Sequence, residues 1–343
     1  MPTVTADRLR EIGIRTFTAT GVESSIARQV VESLVLSNLV GVDSHGVALI
    51  PSYLQAIEAG WIVPDAEPDV VSNNGVAIVL DGQRAFGQLV ARQAMRMAIQ
   101  HATKQVIGVV SFSHIYHIGR LGEYAALAAE NGFIGLVMAN GSIPGGMVSP
   151  FGGRQRALGT NPISFAVPAA GRPAFVADFS TSVVAERRVR TARTKGEAIP
   201  LGWIIDREGQ PTTNPADLYE GGALLCFGEH KGFALSLMVE ILAGILSGAN
   251  TPVSPNYEGM QNGVFLLAIS PDFFRPTEIF RDTVDRLFDV LQEVSPAHDG
   301  KGVVIPGEPE WRSKASREAE GIPVDDETWE ELLKLAGGRV EQQ

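Results

Sequence analysis

Residues 75–112 read GVAIVLDGQRAFGQLVARQAMRMAIQHATKQVIGVVSF, and their reading decides the fold. The run from Gly75 to Gly82 is apolar and closes in a turn, which is the pattern of a strand. From Gln88 to Gln105 the residues Val90, Ala94, Met97 and Ala98 recur at helical spacing. Val106 to Phe112 is a second short apolar strand, so the segment is strand, helix, strand. That succession belongs to an α/β body.

The same signals extend outward in both directions. Towards the C-terminus come a helix over Leu121 to Glu130, a buried strand over Phe133 to Ala139, and strands at Ile163 to Val167, Phe175 to Asp178 and Gly263 to Ile269. Glu229 to Gly248 reads as a long apolar helix; Ile279, Phe280, Val284, Leu287, Phe288 and Leu291 define an amphipathic one. An irregular acidic segment follows, then a last helix near Glu327 to Leu335. Towards the N-terminus, Leu9, Ile12 and Phe17 form one helical stripe ending at Gly21. Ile26, Val30, Val31, Leu34 and Val35 form a second, and a third short helix spans Tyr53 to Ala59. The expected architecture is α/β: a three-layer body with a mixed sheet, plus a helical subdomain built from both termini. Its segments are 1–72, 73–272 and 273–343. The loops Gly141 to Gly153 and Ala192 to Pro200 carry most of the turn and charge signals.

Bulk properties narrow the function. The chain has 343 residues, 45% hydrophobic and 20% charged, an ordinary globular balance. A net charge of −11 disfavours nucleic acid as a partner, so any anionic ligand must be drawn in by local positive charge. The start, Met1 to Arg8, has no apolar core like that of a secretory signal, and Phe233 to Leu246 contains Glu240 and is short for a membrane span. A cytoplasmic protein without a membrane partner is expected. The one cysteine, Cys226, lies in an apolar run and reads as a small buried hydrophobe.

Chemistry is carried by histidines beside turns. Asp43-Ser44-His45-Gly46 sits at a helix-to-turn junction, and histidine is the default acid or base near neutral pH. The alternative is a capping or packing histidine. His114 and His117 are three apart, a spacing that on a helix could bind metal, but no third ligand is evident and no metal site is expected. His117 is instead a candidate for proton handling or substrate binding. Thr160 and Asn161 in Gly159-Thr160-Asn161-Pro162 offer hydrogen bonds from a turn. Asp178 ends a strand, and Ser180-Thr181-Ser182 read as capping residues at a helix start able to hold phosphate. His230-Lys231-Gly232 opens the long helix with a point charge. Arg187, Arg188, Arg190, Arg193 and Lys195 form a basic cluster in an acidic chain, a candidate for a nucleotide 2′-phosphate. No Gly-x-Gly-x-x-Gly follows any strand, so the common dinucleotide fingerprint is missing.

These motifs, in their order, resemble the malate/L-lactate dehydrogenase family of the second type, which also holds ureidoglycolate, sulfolactate and diketogulonate oxidoreductases. The matching pieces are Asp43-Ser44-His45-Gly46 with Ile50-Pro51-Ser52-Tyr53, then His117 to Tyr124, Pro150 to Gly153 and Leu158 to Pro162. Asp178 to Ser182, Glu229 to Gly232 and Pro306-Gly307-Glu308 complete the series. Ser44-His45-Gly46 and Pro211 to Pro215 point to its hydroxycarboxylate dehydrogenase branch. The resemblance implies an oxidoreductase interconverting 2-oxo and 2-hydroxy acids with NAD or NADP, bound by a non-Rossmann fold, and a homodimer with its site near the subunit interface. A cyclic imine reductase of the same family is the alternative; outside the resemblance, a histidine-dependent lyase or metal hydrolase using His114 and His117 is a more distant one. It also implies roles: His45 as proton donor, aided by Ser44 and Asp178 with His117 nearby. Ser142, Asp178 to Ser182 (through Phe179), His230, Lys231 and Pro306 to Glu308 would line the cofactor; Thr160, Asn161 and Arg120 the substrate. One position departs from the pattern. Many relatives carry an arginine three residues after the glycine of Ser-His-Gly, able to grip a carboxylate. Here it is Leu49, which implies a more apolar substrate and another cation, Arg120 or Lys231, for the carboxylate.

Overall fold

The computed structural model describes residues 1–141, 143–255, 261–297, 300 and 302–337. The chain opens with β1 (Thr3–Val4) and three helices, α1 (Ala6–Ala19), α2 (Ser24–Leu39) and α3 (Ile50–Glu58). Thr5 caps α1 by accepting from Arg8 N. The third helix begins at Ile50 rather than Tyr53, because Pro51 fits the first turn, where a missing N–H leaves no bond unmade. Next come β2 (Asp69–Asn73), β3 (Ala77–Asp81), α4 (Gly87–Gln105), β4 (Ile107–Ile115), α5 (Gly122–Glu130), β5 (Ile134–Asn140), β6 (Ile163–Val167) and β7 (Phe175–Phe179). After β7 the chain forms α6 (Glu186–Lys195) and three short strands, β8 (Ile204–Ile205), β9 (Pro211–Thr212) and β10 (Ala223–Leu224). The last elements are α7 (His230–Val239), β11 (Asn262–Ile269), α8 (Thr277–Gln292), α9 (Glu308–Glu320), β12 (Ile322–Pro323) and α10 (Asp326–Leu335). Helix α7 continues as a wider π-type coil over Glu240–Ile245.

Seven strands form one mixed sheet in the order β2-β3-β4-β11-β5-β6-β7. The pair β3–β4 is parallel, joined through α4, and the other described pairs are antiparallel. Alternation along the strands assigns the faces. Val110, Phe112, Val137, Val264 and Leu266 pack with Ala94 and Met95 of α4 and Tyr124 and Ala128 of α5. On the opposite face, Met138, Leu136 and Phe265 meet Val239 and Ala243 of α7 and its π-type extension. Helices therefore cover both faces.

The terminal segments meet. Leu9, Phe17, Leu34, Ile50 and Tyr53 share one apolar cluster with Ile322 and Leu332, and β1 pairs antiparallel with β12. A further cluster gathers Val189 of α6, Leu224 and Cys226. Burial pushes the Cys226 thiol up to about 11, which fits an inert packing residue.

Three sequence expectations need correction. Residues 192–195, expected in a loop, complete α6, which stops at Gly196 in the left-handed conformation (φ 67°). The acidic segment after α8 contains α9. No helix starts at Ser180 to Ser182: α6 begins at Glu186, and Ser182 Oγ instead donates to Val184 O at 2.9 Å.

Candidate active site

The His45 loop follows α2 and is pinned from two directions. Asn38, in the last turn of α2, donates from Nδ2 to Asp43 Oδ1 (2.7 Å) and accepts Val47 N–H on Oδ1 (2.9 Å). Arg317 of α9 forks onto Asp43, with Nη1–Oδ1 at 2.7 Å and Nη2–Oδ2 at 3.1 Å. Gly46 is required by this closeness: a Cβ there would lie 2.2 Å from Asn38 Oδ1. The loop sets Ser44 Oγ 2.9 Å from His45 Nδ1. Burial, then the charges of Arg120 and Arg187, lower the His45 pKa from 6.5 to about 4. The imidazole is neutral at pH 7 and sits within electrostatic reach of both guanidinium groups.

His117 stacks on His45, with ring centroids 5.7 Å apart and planes 23° from parallel. Its Nδ1 lies 2.8 Å from Tyr53 Oη and 3.3 Å from Gly119 N. Burial, then the neighbouring His45, lowers its pKa to about 3. His114 goes elsewhere: it is exposed, holds φ 55°, and pairs with Asp81 at 2.8 Å. The two histidines three apart thus lie at a strand end and the turn after it, not on one helix face.

The turn after His117 delivers Arg120. Ile118 N donates to Asn262 Oδ1 (3.1 Å), Tyr124 Oη donates to Ile118 O, and Gly122 N donates to Asp178 Oδ2 (2.8 Å). Arg120 is 8% exposed, its Nη1 is 3.7 Å from Asp178 Oδ2, and among the described residues its Nε has no hydrogen-bond partner. A buried guanidinium with a spare donor calls for an anion. Burial raises the Asp178 pKa, opposed by Arg120 and the Gly122 N–H. Asp178 therefore holds Arg120 and the Gly122 turn; no hydrogen bond from it to His45 is present among the described residues. A cavity of ≈ 650 Å³ opens beside Arg120, walled by Leu36, Gly122, Gly307 and Trp311. A second cavity of ≈ 750 Å³, at Trp61, Arg84 and His114, holds none of the expected site residues.

The remaining expected residues divide. Thr160 O accepts Thr181 N (2.9 Å) and Thr181 Oγ1 (3.0 Å). Asn161 is corrected: it is fully buried, and its Nδ2 donates inward to Ser236 O and Oγ (3.1 Å each) and Glu240 Oε2 (2.6 Å), so it shapes the loop from beneath. Ser180 Oγ and Ser182 Oγ are 3.0 Å apart, and the Phe179 ring is exposed. His230 and Lys231 are exposed in the first turn of α7, which has no side-chain cap; Lys231 N donates to Gly228 O (3.1 Å), and the Lys231 ammonium suits a phosphate-bearing cofactor. Pro306 is exposed and Gly307 takes φ 98°. Glu308, expected to line the cofactor, is buried and accepts from Gln292 Nε2 (2.6 Å) and Ile305 N (3.3 Å). Leu49 packs against the terminal helical cluster. Ser142 lies outside the described residues. Sequence reasoning missed Asn38, Gln88, Tyr53 and Arg317 as site supports. The basic cluster did flag Arg187, but it stands beside Asp43, Ala48 and Asp325 (3.9 Å).

Comparison with known proteins closes the description. The malate/L-lactate dehydrogenase family matches residues 4–333. Hydroxycarboxylate dehydrogenase B of Escherichia coli is 36% identical over 327 residues, covering 93% of this chain and 90% of that one. A malate dehydrogenase of Pyrococcus abyssi is 36% identical over 340 residues, covering 96% and 93%. The solved structure of Δ1-piperideine-2-carboxylate reductase from Pseudomonas syringae superposes with a TM-score of 0.87 at 31% identity, covering 98% of this chain and 100% of that one.

Proposed function

The chain belongs to the malate/L-lactate dehydrogenase family, and from that premise we propose how its residues divide the work of the reaction. It is a 2-hydroxycarboxylate dehydrogenase, a pyridine-nucleotide-dependent oxidoreductase that interconverts 2-hydroxy and 2-oxo acids. His45 is the proton acceptor in oxidation and the donor in reduction. The observation that carries this role is a neutral imidazole held by Ser44 and facing the charge of Arg120. The bound nicotinamide, of NAD or NADP, supplies the hydride chemistry. Arg120 takes the substrate carboxylate with its spare donor, and anion binding there relieves the positive field that, after burial, keeps His45 unprotonated. Asp178 holds Arg120 in place. Ser180, His230 and Lys231 would hold the cofactor at the start of α7, without a doubly wound nucleotide unit; the single parallel strand pair described supports that reading.

Leu49 supports a substrate with an apolar side chain, because no guanidinium stands at that position. We extend the reading to a cytoplasmic homodimer with domain limits near residues 72 and 272; no helix among the described residues is long and apolar enough to cross a membrane. Reduction of a cyclic imine is the second reading, favoured by the structural similarity to the piperideine-2-carboxylate reductase.

The test follows the absorbance of NADH and NADPH against 2-oxo acids with apolar side chains, oxaloacetate and Δ1-piperideine-2-carboxylate. Oxidation with the apolar 2-oxo acids is expected, and activity on the imine alone would overturn the assignment. In His45→Ala, kcat should fall roughly 10²–10⁴-fold while cofactor affinity stays.

A further inference from the structure

His117 has two nitrogens, and the geometry around one of them fixes the state of both. Gly119 N lies 3.3 Å from Nδ1, and a backbone N–H can only donate. That long contact favours a lone pair on Nδ1 but is weak, so it biases the tautomer without holding it. Tyr53 Oη, 2.8 Å from the same Nδ1, makes the shorter contact, and when it donates there the proton of the neutral ring is held on Nε2. Its oxygen is thereby left to accept, and Gln88 Nε2 donates to it at 2.7 Å. In this orientation of the Gln88 amide the chain runs from Gln88 to Tyr53 to His117, and the Gly119 N–H agrees with it. Turning the Gln88 amide over would make Tyr53 donate to Gln88 and force a proton onto Nδ1, nose to nose with the Gly119 N–H. The chosen orientation leaves Gln88 Oε1 buried without a partner among the described residues. That unmade bond is the strain the arrangement tolerates.

The parts are built to hold still. Tyr53 is 1% exposed and Gln88 is fully buried. Tyr53 meets Phe86 and Tyr116 as well as His117. A Cβ on Gly87, next to Gln88, would lie 2.4 Å from His117 O, so α4 starts with a glycine where it presses on this segment. Among the described residues Nε2 of His117 has no hydrogen-bond partner, and the ring stacks on His45.

We infer that Gln88 and Tyr53 are positioning residues that lock His117 in its Nε2–H tautomer, making it a fixed neutral hydrogen-bond donor for the substrate oxygen beside the one imidazole that moves the proton. This rests on the reading of His45 as that proton carrier. The titratable groups around the Tyr53–His117 pair include His45, Tyr116, Glu123 and Tyr124, with charged Arg120 beyond His45. Burial and His45 both disfavour a charge on His117, in keeping with a ring that does not cycle its proton.

The tautomer is read directly, without turnover, from long-range ¹H–¹⁵N correlation spectra of the ¹⁵N-labelled protein, with His117 assigned by loss of its signals in His117→Asn. The expected spectrum shows a protonated Nε2 and a bare Nδ1 from pH 5 to 8. A protonated Nδ1, alone or with Nε2, overturns the inference. Tyr53→Phe removes the hydroxyl and should give mixed tautomers and a His117 that titrates closer to 6.5. Its kcat should drop roughly three- to tenfold with KM little changed, the scale of one hydrogen bond. Gln88→Glu should draw the Tyr53 proton to itself and shift His117 towards Nδ1–H. A single Nε2–H tautomer persisting in both variants also overturns it. The two readings fail separately: normal turnover in His45→Ala removes the proton-carrier role and leaves the spectrum of His117 as stated.

Discussion

Gly46 shows how narrowly the His45 loop is fitted. Its backbone has an ordinary negative φ, −91°, so conformational freedom is not the reason for glycine here. Closeness is: Asn38 fills the space a side chain would take, and its amide ties Asp43 on one side of His45 to Val47 on the other. In Gly46→Ala the methyl must displace that amide, breaking two hydrogen bonds in a packed site. Denaturant unfolding should show a loss of about 1–3 kcal/mol, with turnover falling alongside. Unchanged stability and turnover would mean that Asn38 does not hold the loop.

Among the elements, α7 with its π-type extension faces two ways. Val239 and Ala243 pack on the sheet, while Leu237, Ile241 and Ile245, each four apart, point outward with exposures of 38%, 53% and 62%. An apolar stripe of that kind on a cofactor-binding body suits a second copy of the chain. Ile241→Asp with Ile245→Asp should therefore convert the proposed dimer to a monomer in light scattering; an unchanged mass moves the interface elsewhere. The sheet and α4, α5 and α7 were legible in the sequence because each buries a face and so repeats its apolar residues at period two or 3.6. Helix α9 was not, since its sequence, EPEWRSKASREAE, has no apolar stripe. It is held by polar ties such as Ser313 Oγ to Leu39 O (3.0 Å) and the Arg317 fork. Helix α6 buries only Val189 and Ala192 and was legible just as charge. In the site, His45, His117 and Arg120 were visible as residue types beside glycine turns. Tyr53 and Gln88 lie 64 and 29 positions from His117, and no local pattern announces a contact across that span. Asn161 misled because an Asn-Pro turn looks exposed, whereas its amide is spent inward on Glu240.

At the scale of the whole molecule, two imidazoles are kept uncharged against their nature. The unfolded chain takes up protons on His45 and His117 near 6.5; the folded protein does so only near 4 and 3. The unfolded state binds more protons between these values, so stability falls as pH drops from about 6.5 to 4. Asp178 and Glu240, raised by burial, act in the opposite sense near the carboxylate range. The histidine share is thus read as a difference. Melting temperatures from pH 7.5 to 4.5 should decline more steeply for the wild type than for His117→Asn, and equal slopes would show that His117 is not held neutral. The Arg317–Asp43 fork and the β1–β12 pair have a consequence for biosynthesis. The loop that carries His45 leaves the ribosome early, yet its clamp is encoded some 270 residues later. With His45 as the proposed proton carrier, a nascent chain that has already translated this loop should have no working catalyst until α9 emerges and docks. Stalled or prematurely released chains ending before Arg317 should then be silent rather than partly active.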